Sequence, residues 1–98
     1  MKIVWLVSDD KLSEVKDKLF KDDIIARQSI TLRAARSLDF NKDGTYVYIS
    51  GSGDAIKKAK DLVKGIVNSL EEDEENEVIS RIEASEEDVA TGFGGIFG

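Results

Sequence analysis

The chain has 98 residues, enough for one domain, and 41% hydrophobic with 35% charged residues at a net charge of −6 describe a globular chain with a dense polar surface. It has no cysteine and no histidine, which excludes disulfides, a thiol nucleophile, a Cys/His zinc site and a Ser-His-Asp hydrolase. No apolar run approaches the roughly 18 residues of a membrane span, and the N-terminal run is too short for a signal peptide. A cytoplasmic protein with no membrane partner is expected, and abundant Lys, Glu and Asp beside a single Met gives a thermophile-like composition.

In chain order, KIVWLVS (2–8) is a nearly continuous apolar run and reads as a buried central strand. In DDKLSEVKDKLFKDD, Leu12, Val15, Leu19 and Phe20 share one helical face, with Ser8, Asp9 or Asp10 available as N-cap. IIARQSITLR (24–33) alternates: Ile24, Ala26, Ile30 and Leu32 lie on one side, and Arg27, Ser29, Thr31 and Arg33 on the other. A half-buried strand with a basic outer face follows from that pattern. AARSL (34–38) reads as a turn or one helical turn. GTYVYIS (44–50) is the next strand, with Tyr46 and Tyr48 on one face and Val47 and Ile49 on the other. SGDAIKKAKDLVKGIVNSL (52–70) repeats Ile56, Ala59, Val63, Ile66 and Leu70 at helical spacing, with Ser52 as N-cap and Gly65 inside the helix.

After Leu70 the character of the chain changes. Residues 1–70 hold 13 basic and 10 acidic residues, a balance of +3, whereas residues 71–98 hold Arg81 against 10 acids, a balance of −9. The reading divides the chain into an α+β body (1–70), an acidic linker EEDEENE (71–77), and a segment 78–98. That last segment begins as an edge strand or short helix and ends in a glycine-rich apolar tail. VISRIEA (78–84) fits a fourth strand as well as a helical turn, since seven residues do not separate the two periods. The expected fold is α+β. It is a two-layer sandwich with a mixed or antiparallel sheet of three to four strands and two main helices on one face, in a ferredoxin-like or split βαβ topology.

Three constellations carry binding chemistry. Asp39, Asn41, Asp43 and Gly44 match positions 1, 3, 5 and 6 of a calcium loop, but Ser50 stands where a bidentate Glu belongs and the chain continues as strand. The same pattern makes a tight turn, and calcium here would be held weakly. Arg27, Arg33, Arg36, Lys57, Lys58, Lys60 and Lys64, with Tyr46 or Tyr48 exposed beside them, would give a modest RNA-binding surface that an acidic tail could inhibit in cis. Solvated strand and helix faces look the same. GSG (51–53) before a helix could cradle a phosphate, though Asp54 holds the favourable electrostatic place and ordinary turn chemistry suffices.

Two short stretches resemble known families. GTYVYISGSGDAIKKAKDLV (44–63) is weakly similar to the last strand and helix of KH-type RNA-binding modules, but the GXXG clamp is missing, so no functional residue carries over. EEDVATGFGGIFG resembles the C-terminal tails of archaeal and eukaryotic ribosomal P-stalk proteins, an acidic segment followed by a short apolar motif. In that family the tail is a mobile hook whose apolar residues dock in grooves on translation factors. The resemblance implies that Phe93, Ile96 and Phe97 would be partner-docking anchors in a small interaction protein of archaeal type. The alternative is that they fold back on the body's own sheet. No nucleophile stands beside a base, and the paired acids sit at helix ends, so no enzymatic activity is expected.

Overall fold

The computed structural model describes the backbone of residues 1–97 and the side chains of residues 1–85. The chain forms β1 (Lys2–Val7), α1 (Asp9–Lys21), α2 (Asp23–Ala26), β2 (Ser29–Ala34), a 3-10 turn (Ala35–Leu38), β3 (Thr45–Ser50), α3 (Gly53–Val63), β4 (Asn68–Ser69) and α4 (Glu72–Phe97). The four strands make one antiparallel sheet in the order β2-β3-β1-β4. Up to β4 this is the βαββαβ order of a ferredoxin-like α+β sandwich, as the sequence pattern implies.

The strand alternation sorts side chains between two cores. Ile3, Trp5 and Val7 of β1, Val47 and Ile49 of β3, and Ile30 and Leu32 of β2 meet Val15 and Leu19 of α1, Ile25 of α2, and Ile56, Ala59 and Val63 of α3. This is the layer that the 3.6-residue stripes of α1 and α3 dictate; Phe20, assigned to the stripe of α1, is instead 48% exposed. On the other face Val4, Leu6, Tyr46 and Tyr48 meet Val78 and Ile82 of α4, with Ala35, Leu38, Phe40 and Leu70 around them. Val78 and Ile82 stand one helical turn apart and both are fully buried, each contributing about 1.5–3 kcal/mol by area.

Four local outcomes differ from the sequence pattern. Residues 24–27 do not extend β2. The Asp22 carboxylate ends α1, accepts from the Ile24 and Ile25 N–H groups at 2.9 and 3.1 Å, and so caps α2. The helix read over 52–70 stops at Val63. Lys64 (φ −57°, ψ 129°) and Gly65 (φ +83°) form a type II turn closed by the Ile66 N–H on the Val63 carbonyl at 3.0 Å, so Gly65 is the stop signal and not an interior defect. The fourth strand is Asn68–Ser69, and residues 78–84 are helical. The acidic run 71–77 lies at the start of α4, with Glu72, Asp73, Glu74 and Glu75 in its first turn. Acids oppose the dipole at a helix C-terminus but favour it at an N-terminus, so the run starts a helix and does not terminate one.

Candidate functional site

The residues that face α4 come from both central strands and from the loop before β3. Cross-strand partners point to the same face. The register Lys2↔Ser50, Val4↔Tyr48 and Leu6↔Tyr46, with Ser29↔Ser50, Thr31↔Tyr48 and Arg33↔Tyr46, therefore sets two tyrosines, two cations and a row of hydroxyls together. Two similar clamps join this face to the helix. The Tyr46 hydroxyl donates to Glu74 Oε2 at 3.0 Å, and Lys42 Nζ donates to the same oxygen at 2.6 Å. The Tyr48 hydroxyl donates to Glu83 Oε2 at 2.9 Å, and Lys2 Nζ to that oxygen at 2.7 Å. Between them, Arg81 donates to the Leu38 carbonyl at 2.6 Å and to Glu77 at 2.7 Å, and lies 4.2 Å over the Phe40 ring.

The protonation states follow from this geometry. Burial, reinforced by the Glu74 carboxylate, pushes the Tyr46 phenol up to about 12. Burial and then Glu83 raise Tyr48 as well. Hydrogen bonding from Lys42, with Tyr46 adding to it, holds Glu74 below the usual carboxylate range. Lys2 and then Tyr48 do the same for Glu83, and Glu83 in turn raises Lys2. Each clamp is thus an ionised carboxylate held by one ammonium and one phenol. Among the described residues no buried side-chain polar atom lacks a partner, so this layer is fully satisfied.

The sequence candidates fall out differently. Tyr46 and Tyr48 are 0% and 5% exposed, which corrects the expectation that one of them is open to solvent. Arg33 lies on the α4 side of the sheet, whereas Lys57, Lys58 and Lys60 belong to α3 in the opposite layer, Lys64 forms the turn after it, and Arg27 caps α2. Lys58 pairs with Asp22 at 2.8 Å. The structure does not gather these cations into one surface. In the loop, Asp39 takes a left-handed conformation (φ 66°, ψ 23°) that ends the 3-10 turn, and Asp43 receives both Arg36 Nε and Nη2 at 3.2 and 2.9 Å. A cation drawn by Asp39, Asn41 and Asp43 would compete with that guanidinium. Among the described residues no group of three or more His, Cys, Asp or Glu side chains converges on a metal position. Gly44 has φ +109°, and a Cβ there would meet the Val7 carbonyl oxygen at 2.8 Å, so the loop's glycine serves the approach to β1. At α3 the Ser52 hydroxyl accepts from the Ala55 N–H at 3.2 Å, the ordinary cap of a strand-to-helix turn.

Phe93, Ile96 and Phe97 belong to α4 by backbone and lie outside the residues whose side chains are described. Lys2, Lys42, Glu74 and Glu83 were not visible as a site. Each is an ordinary surface charge in sequence, and only the long-range register brings them together. A cleft of about 530 Å³, walled by Ile3, Trp5, Val63, Val67 and Leu70, opens where β4 is too short to cover β1. Glu75 reaches into that gap and accepts the Val4 N–H at 3.2 Å.

Fold and site together define an antiparallel α+β sandwich whose second face is closed by an acidic helix. Compared with known proteins, the chain matches no family model, no curated protein and no solved structure. Among the described residues no helix is long and apolar enough to cross a membrane.

Proposed function

We propose that this is a non-catalytic interaction protein that docks a protein partner through the C-terminal end of α4, with Phe93, Ile96 and Phe97 as anchors. The observation that carries the reading is the continuity of α4, whose backbone runs as one helix from Glu72 to Phe97 while Val78 and Ile82 root it in the sheet. Residues 93, 96 and 97 stand at i, i+3 and i+4, the spacing that forms one face of a helix and the anchor pattern of helix-in-groove recognition. The acids 86–88, which precede the anchors in sequence, suit a partner whose apolar groove is rimmed by cations. The likeness of EEDVATGFGGIFG to ribosomal stalk tails makes a translation factor the partner to try first.

Titration of the ¹⁵N-labelled protein with a purified archaeal translational GTPase tests this. Selective broadening at residues 90–97 is expected, with loss of binding in the Phe93→Ala, Phe97→Ala double variant. Broadening confined to the body, or an unchanged affinity in the double variant, rejects the reading.

A further inference from the structure

We propose that the sheet face beneath α4 is a binding face for single-stranded RNA, held closed by Glu74 and Glu83 acting in place of two phosphates. Four features of the face point there. It is the face of a four-stranded antiparallel sheet that α1, α2 and α3 leave to α4 alone, and its central strand β3 carries two aromatic side chains, Tyr46 and Tyr48, buried on that side. Same-face residues two apart on a strand are separated by about 6.8 Å, comparable with the spacing of successive nucleotides, and aromatic side chains on such a face stack bases. Each tyrosine hydroxyl converges with a lysine ammonium on one carboxylate oxygen, and the same donor pair suits a phosphate oxygen. Ser29, Thr31 and Ser50 share the face, supplying hydroxyls where an RNA strand would present its 2′-OH groups.

Charge complementarity selects the occupant. The face carries Lys2, Arg33 and Lys42, whereas α4 contributes Glu74, Glu75 and Glu83 against it and Arg81 beside the Phe40 ring. An anionic polymer is what those cations fit once the helix has left, and the helix presents the anions while it stays. Both lysines of the clamps keep solvent access, with side chains 48% and 42% exposed, so an incoming strand can engage Lys2 or Lys42 at the rim before α4 lifts. Binding competes with the closed helix, so the apparent affinity is reduced by the fraction of molecules that are open. None of the residues involved is an anchor of the proposed partner-docking end. The two readings therefore fail separately.

The test uses the full chain and a fluorescein-labelled 12-nucleotide polyuridine RNA, followed by anisotropy at 50 and 200 mM salt. In Glu74→Gln, Glu83→Gln the carboxylate charges of both clamps are gone at nearly constant shape while Lys2 and Lys42 keep theirs, and the affinity should rise at least tenfold over the unsubstituted protein. The control Glu71→Gln, Glu72→Gln removes the same charge from exposed positions off the face and should change affinity less than twofold. Adding Lys2→Gln and Lys42→Gln to the first variant should abolish the gain, and should lower the log–log salt slope by about 1.4, two phosphates' worth for a single strand. Equal gains in the clamp and control variants would overturn the proposal. So would RNA-induced amide shifts in the unsubstituted protein that map to α3 and leave residues 46–50 and 78–83 unmoved, a reading that holds even if a variant folds poorly.

Discussion

Raising the pH puts the α4 layer under a defined load at Tyr46. The phenol is wholly buried and its proton is held by burial and by Glu74, with Arg81 opposing, so its native value is about 12 against an ordinary 10.0. The raised value means that the unfolded chain releases this proton first. The associated stability is fully present below pH 10 and is lost as pH climbs toward 12. Two pH units at about 1.4 kcal/mol each amount to about 2.7 kcal/mol from this one residue, a large share of the stability expected for a domain of this size. Tyr48 is raised for the same kind of reason and adds to the decline. Guanidinium unfolding at pH 8, 10, 11 and 11.5, with tyrosinate absorbance at 295 nm followed in parallel, measures both quantities. Absorbance should stay low until unfolding begins, and the two should then rise together. Tyr46→Phe should lose about 1 kcal/mol at pH 8, where the Glu74 hydrogen bond is missing, and show a shallower decline above pH 10. A native-state phenol titrating near 10 with no loss of stability would refute the account of the buried clamp.

Three further outcomes are expected. Ile82→Ala removes a fully buried side chain between α4 and the sheet and should cost about 2–4 kcal/mol by thermal or denaturant unfolding; a cost under about 1 kcal/mol would mean that α4 does not belong to the cooperative unit. Gly44→Ala combines an unfavourable φ with a backbone contact at 2.8 Å, whereas Gly65→Ala has the φ of +83° with no atom within 4 Å of the new Cβ. The first should therefore exceed the second by at least about 1 kcal/mol in the same assay, and equal costs would remove the steric argument. On the acid side, Glu74, Glu83 and Asp22 are held below their ordinary values. Their contribution is present above about pH 4.5 and fades as pH falls through the native values. Denaturant midpoints from pH 7 to 3 should be flat and then fall, less steeply in Glu74→Gln.

The body's elements were legible because each carries a local period. Leu12, Val15 and Leu19 mark one helix and Ile56, Ala59 and Val63 another, and the alternation of Tyr46, Val47, Tyr48 and Ile49 fixes both faces of β3. What escaped was punctuation made by single residues. Asp22 reads as the end of one helix and is also the cap of the next. Gly65 sits in an apolar stripe that continues to Leu70, yet its positive φ turns the chain into β4, so the periodicity of Ile66 and Leu70 is coincidental to two different cores. Over residues 78–84 the strand and helix patterns fit equally, and tertiary burial of Val78 and Ile82 decides for helix.

The site was less legible than the fold for a related reason. A clamp of Lys2, Tyr48 and Glu83 spans most of the chain in sequence, and no window contains it. The sequence did announce the asymmetry on which it rests, since a body at +3 and a segment at −9 must attract one another. Asp39-Phe40-Asn41-Lys42-Asp43-Gly44 shows how the signal was misdirected. Its carboxylates suggested a cation, but the residues that reach α4 are the ones between them. Phe40 packs edge-on to Tyr46 at 5.3 Å and takes Arg81 on its ring, and Lys42 holds Glu74. The loop's chemistry is therefore the recognition of an acidic helix. Any ligand of the sheet face has to offer Lys42 and Phe40 what α4 already offers them, namely an anion and a planar or cationic group. Single-stranded RNA meets both conditions with its phosphates and bases.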